Sequence, residues 1–194
     1  MTRTLEQIKD TFLPYSDGVR IILLVHRSKE GGAGRKIQRT NLRKVITKNS
    51  EEFFQIVGEM QDFMSKDDRT LRIYSTVNGR NINKAVRKFK QEMLDNDYNP
   101  DRIKEKFYLD IKNKWVGCLM SSSAKAESSF LLDLDGCDDR SFHSIYNLVE
   151  KLTRIQTYYQ TKNGYHIITD PFNHTKLDKD MITVLPDGLL LLDY

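Results

Sequence analysis

The chain has 194 residues, 39% of them hydrophobic and 10% aromatic, with 30% charged and a net charge of +4. That length and balance suit one folded domain with its own core and exclude a disordered or low-complexity chain. Two cysteines without a CxxC-type neighbour exclude a disulfide framework and a zinc cluster, and fit a reducing cytoplasm.

The opening stretch, MTRTLEQIKDTF, has no apolar region of the kind a signal peptide needs. Residues 4–13 read as a short amphipathic helix stopped by Pro14, and Gly18 to Val25 as a buried strand. Its apolar run, Ile21 to Val25, is far shorter than the roughly 20 residues of a bilayer span. A glycine-rich basic loop follows, from His26 to Lys36. Residues 1–50 hold 11 Lys and Arg against 4 Asp and Glu, whereas residues 51–194 hold 20 against 23. A basic front of this kind attracts polyanions, and Arg27, Lys29, Arg35, Lys36 and Arg39 are its candidate nucleic-acid contacts. A solvated basic face is the alternative. The loop is not a phosphate-binding Walker loop, because the Gly-Lys-Ser/Thr ending is missing.

Residues 50–64 predict a helix capped by Ser50, with Phe53, Ile56, Val57, Met60 and Met64 as its apolar face. A strand over Leu71–Val77, a turn at Asn78-Gly79 and a second helix over 81–94 come next. Charged residues 95–114 read as loop and short helix, and Trp115 to Met120 as a strand. The run Phe130 to Asp135 is a strand, followed by a helix at 139–153. A strand at 154–160 turns at Lys162-Asn163-Gly164 into Tyr165–Thr169, and residues 181–193 form a closing hairpin around Pro186-Asp187-Gly188. The expected class is α+β, a mostly antiparallel sheet with helices on one face behind an N-terminal α/β module. The whole chain forms one domain, with residues 1–120 as that module and 121–194 bearing the motifs.

Chemistry concentrates in the last third. Alternation along Phe130-Leu131-Leu132-Asp133-Leu134-Asp135 puts Asp133 and Asp135 on one face, about 7 Å apart. Paired carboxylates repel unless a cation sits between them, and oxygen donors suit Mg²⁺ or Mn²⁺. An ordinary turn starting at Asp135-Gly136 is the plainer alternative. The hairpin delivers His166 onto a strand between apolar neighbours, with small Gly164 on its face leaving space for a ligand. A lone histidine so placed is more often structural. The chain closes with a leucine run ending in Asp193.

A hydrophobic strand with Asp-x-Asp, then small-x-His on a strand, then a hydrophobic run ending in Asp resembles the three-motif pattern of the archaeo-eukaryotic primase superfamily, which includes primase-polymerases and small phage and plasmid proteins. The resemblance spans roughly residues 130–194. It implies an RRM-like catalytic sheet and a metal-dependent nucleotidyltransferase using Mg²⁺ or Mn²⁺. Asp133, Asp135 and Asp193 would be its catalytic metal ligands, and His166, aided by Lys162, would contact the nucleotide. It also implies a nucleic-acid template, nucleoside triphosphates and a replication helicase as partners, in the cytoplasm. A non-catalytic nucleotide- or nucleic-acid-binding protein is the alternative. Asp133-Leu134-Asp135-Gly136 also resembles the nucleophile motif of haloacid-dehalogenase-type phosphatases, which would need a parallel sheet.

Overall fold

A computed structural model describes residues 18–27, 39–67, 70–98, 104–177 and 181–193. Within them the chain builds two four-stranded antiparallel sheets. The first is built around β1 (Arg20–Arg27), whose apolar run is buried on both faces. β1 lies between β2 (Arg39–Thr47) and β3 (Leu71–Thr76). Its odd-numbered side chains, Ile21, Leu23 and Val25, pack with Ala85 and Leu119 beneath the helices. Ile22 and Leu24 turn the other way, onto Phe53, Ile56, Val57 and Met60 of α1 (Ser50–Met64). A strand covered on both faces reads as one continuous hydrophobic run, which is why β1 was legible as buried.

α1 is capped by Asn49 rather than by Ser50: the Asn49 side-chain oxygen accepts from the Glu51 N–H at 2.8 Å. Glu51 and Glu52 in its first turn complement the helix dipole. α2 (Ile82–Tyr98) and the short α3 (Lys104–Leu109) follow, then α4 (Ile111–Met120). Trp115 to Met120 is therefore helix, not strand. Its buried Val116 and Leu119 stand three apart, on one helical face, and Trp115 meets the Phe89 ring edge-on at 5.7 Å. β2 corresponds to a segment with no predicted element.

The second sheet holds β4 (Phe130–Asp135), β5 (Ile155–Gln160), β6 (Gly164–Thr169) and β7 (Thr183–Leu185), ordered β5-β6-β4-β7. α5 (Asp139–Glu150) links β4 to β5, and β6 inserts between those two strands, a split β-α-β arrangement. The α+β expectation holds, with two antiparallel sheets in place of one. α5 covers one face of this sheet, where Leu132, Leu134 and Ile167 meet Phe142, Ile145 and Val149. The opposite face sends Leu131, Ile168 and Tyr159 into the core beneath α1, which they share with the first sheet.

The predicted closing hairpin does not form. β7 pairs with β4, whereas β8 (Leu189–Asp193) crosses over and pairs with β3 in the first sheet. Pro186 to Gly188 make that crossing, and buried polar groups pin it. The Arg80 guanidinium, 1% exposed, donates to both Asp187 carboxylate oxygens at 2.9 and 2.8 Å. Asn78, predicted as an ordinary turn residue, is fully buried. It donates to the carbonyls of Ser129 and Pro186, both at 3.2 Å, and accepts from the Ser129 N–H at 2.6 Å. Among the described residues no helix is long and apolar enough to cross a membrane.

Candidate functional site

Strand register assembles the site. His166 stands opposite Asp133 on one side and opposite Tyr159 on the other, and Asp133 stands opposite Thr183. Tyr159, His166, Asp133 and Thr183 thus form one row across all four strands. The row occupies the face turned away from α5. The next row on that face is apolar, Ile168 and Leu131, and lies in the shared core.

Hydrogen bonds join three of the four. His166 Nε2 lies 3.1 Å from Asp133 Oδ1, and His166 Nδ1 lies 2.5 Å from the Tyr159 hydroxyl. Exposure rises along the chain of groups, from 1% at Tyr159 and 7% at His166 to 31% for the Asp133 side chain. Burial, reinforced by the Asp133 charge, pushes the Tyr159 phenol well above its ordinary pKa. The phenol therefore stays protonated and acts as a donor. Asp133 accepts on the buried side and keeps exposed surface on the other.

Asp135 is exposed at the end of β4 and shares the face of Asp133. It pairs with Gly164. Gly164 does not leave space for a ligand: a Cβ there would lie 1.9 Å from the Leu134 carbonyl oxygen. The glycine is what lets β6 close onto β4. Beyond Asp135, Gly136 takes φ +71°, a left-handed conformation, to turn the chain towards α5. Asp138 Oδ1 caps that helix by accepting from the Ser141 N–H at 2.8 Å, and this bond holds the Asp138 carboxyl below the usual range. The Tyr165 hydroxyl donates to Asp139 at 2.5 Å, a bond that pushes its pKa up to about 12. Between this turn and the β5–β6 hairpin runs an open groove, with Arg140 and Lys162 among its lining residues.

The remaining sequence-derived residues lie elsewhere. Asp193 ends β8 opposite Ile73, and its carboxylate accepts from Gln61 of α1 at 2.5 Å. It is thus in the first sheet, whereas Asp133 and Asp135 are in the second. Arg27 and Arg39 are register partners at the ends of β1 and β2. Lys29, Arg35 and Lys36 lie outside the described residues, as does the predicted helix at 4–13. Tyr159 was not singled out from sequence. Adjacent Tyr158 and Tyr159 look alike in a strand pattern, and only the register shows that Tyr159 points inward.

Asp133 and Asp135 supply oxygen donors from one strand face, and the His166 imidazole lies within hydrogen-bond distance of the first of them. Such a pair suits one hard cation that keeps several waters or takes phosphate oxygens for its remaining positions. Among the described residues no three His, Cys, Asp or Glu side chains converge as a ligand group. Compared with known proteins, the chain matches no family model, no curated protein and no solved structure.

Proposed function

We propose that this protein is a metal-dependent nucleotidyltransferase, primase- or polymerase-like, that adds nucleotides along a nucleic-acid template. The observation that carries this reading is the Asp133–His166 hydrogen bond, which fixes a partly exposed carboxylate on the face it shares with Asp135. A divalent ion held there would offset charge on a nucleotide's phosphates during in-line displacement. Asp133 and Asp135 would hold it, and Lys162 in the adjoining groove could meet the phosphates. His166 has both ring nitrogens engaged inside the fold. In this proposal it orients Asp133, since a direct phosphate contact would require one of those bonds to break. A cytoplasmic setting and a helicase partner belong to the same proposal. The two cysteines, both free and buried, suit that setting.

The test is incorporation of labelled nucleotides on primed and unprimed templates with Mg²⁺ or Mn²⁺. Asp133→Asn and Asp135→Asn are each expected to abolish incorporation while leaving the fold intact by circular dichroism. Full activity in either variant removes the metal assignment. A second reading, nucleotide or nucleic-acid binding without turnover, is favoured by the burial of His166 among satisfied partners. Nucleotide retention with no incorporation under any metal would select it. The phosphatase reading loses its frame, because both sheets are antiparallel throughout the described residues.

A further inference from the structure

We infer that Tyr159 is a positioning residue that, together with Asp133, holds His166 as its Nε2–H tautomer and so fixes how the Asp133 carboxylate is presented. The inference rests on the proposal that Asp133 is a cation-holding carboxylate, and it extends that proposal to a side chain deep in the core.

Proton accounting leads to it. Three groups in a row share two hydrogen bonds: Tyr159 hydroxyl to His166 Nδ1 at 2.5 Å, and His166 Nε2 to Asp133 Oδ1 at 3.1 Å. An ionised carboxylate only accepts, so the Asp133 bond needs a proton on Nε2. A neutral imidazole carries one N–H, so Nδ1 is then a lone pair and must accept. Tyr159 is 1% exposed, and its hydroxyl donates into that lone pair. The arrangement gives every donor an acceptor and every acceptor a donor. Moving the proton to Nδ1 would turn the phenol into the acceptor, leave its buried proton without this partner, and aim the Nε2 lone pair at the carboxylate, breaking the Asp133 bond. The tyrosine therefore fixes the ring without approaching anything bound at Asp133.

The surroundings are built to keep this order. The Tyr159 ring packs edge-on against the imidazole, with centroids 5.1 Å apart, and belongs to the core that includes Leu131 and Ile168. Strand pairing places His166 between its two partners. Without the hydroxyl, Nδ1 would lose its donor and the ring one of its two anchors, so Asp133 would be oriented by a less firmly placed donor. Partners of this outer kind typically change metal affinity by about 10- to 100-fold when removed.

The experiment combines two measurements on the full chain. In ¹⁵N-labelled wild type, long-range ¹H–¹⁵N correlation of the His166 ring, assigned by its loss in His166→Gln, should show a protonated Nε2 and an acceptor Nδ1. A protonated Nδ1 overturns the inference whatever the cation does. Mn²⁺ alone, titrated against wild type and Tyr159→Phe and read by electron paramagnetic resonance of the free ion, should bind about tenfold more weakly to the variant. Tyr159→Phe keeps the ring and removes only the hydroxyl, so its fold is checked by circular dichroism. Unchanged Mn²⁺ affinity in a folded variant overturns the positioning role. Wild type that takes up no Mn²⁺ overturns the cation proposal instead, and the ring signals of wild type and Tyr159→Phe, compared, still decide whether the hydroxyl holds the ring. If the variant does not fold, the wild-type Nδ1 signal decides whether that nitrogen accepts from the hydroxyl, and an Nδ1 without a hydrogen bond overturns the inference.

Discussion

Replacing Asp187 with alanine should destabilise this protein far more than removing a surface acid in an outwardly similar pair. Asp187 sits where the chain leaves the second sheet for the first, and receives two hydrogen bonds from the Arg80 guanidinium. Arg80 is 1% exposed and the Asp187 side chain 21%, so the variant would strand a cation in the protein interior. Breaking a buried pair from one side costs about 3–5 kcal/mol, and the partial exposure of Asp187 points to the lower end, about 3 kcal/mol. At about 2–4 °C per kcal/mol for a chain of this size, the melting temperature should fall by about 6–12 °C. Arg154 and Asp170 supply the control. Their ion pair is as short, 2.9 Å, but the arginine is 75% exposed. Solvent screening limits such a pair to about 1 kcal/mol or less. Thermal unfolding of Asp187→Ala and Asp170→Ala, followed by circular dichroism at one salt concentration, compares the two. Equal shifts, or a loss below about 1 kcal/mol for Asp187→Ala, would refute the claim that the junction depends on this pair.

Other changes probe the second sheet and the basic front. His166→Ala strips the buried Tyr159 hydroxyl of its acceptor, so stability should drop by at least about 1–3 kcal/mol; an unchanged melting temperature would make the histidine dispensable to the fold. Gly164→Ala forces a methyl group against the Leu134 carbonyl and should cost about 3 kcal/mol or more in chemical denaturation; a neutral result would mean that β6 is free to shift away from β4. Replacing three of Arg27, Lys29, Arg35, Lys36 and Arg39 with serine should flatten the salt dependence of nucleic-acid binding by about 0.7–0.9 in log–log slope per lost phosphate contact. An unaltered slope in a filter-binding series would assign those cations to solvent.

Local pattern made much of the second sheet legible. The Asp133/Asp135 alternation, the Asn163-Gly164 turn and the helical spacing of Phe142, Ile145 and Val149 each depend on near neighbours, and each has its counterpart in β4, the β5–β6 hairpin and α5. What escaped was set by distant partners. β2 is an edge strand with few apolar residues, so its periodic signal is faint. Proline and glycine at 186 and 188 marked a turn correctly, but turn chemistry says nothing about which sheet receives the next strand. The same limit hid Tyr159, whose role follows from a strand two places away in the sheet. It also gave Gly164 the wrong meaning: a small residue beside a histidine suggested room, and the room is filled by backbone.

The crossing of β8 also bears on how the chain reaches its fold during synthesis. All partners of the second sheet emerge in one stretch, from β4 to β7, and can pair as soon as they are made. The first sheet must wait. Its β3 edge is finished only when β8 arrives, after every strand of the other sheet. Until then a growing chain presents an unpaired row of β3 backbone groups, the kind of template that recruits foreign strands. That edge closes only once β8 has been made and has crossed to it, and chains halted short of β8 should leave it open to foreign strands.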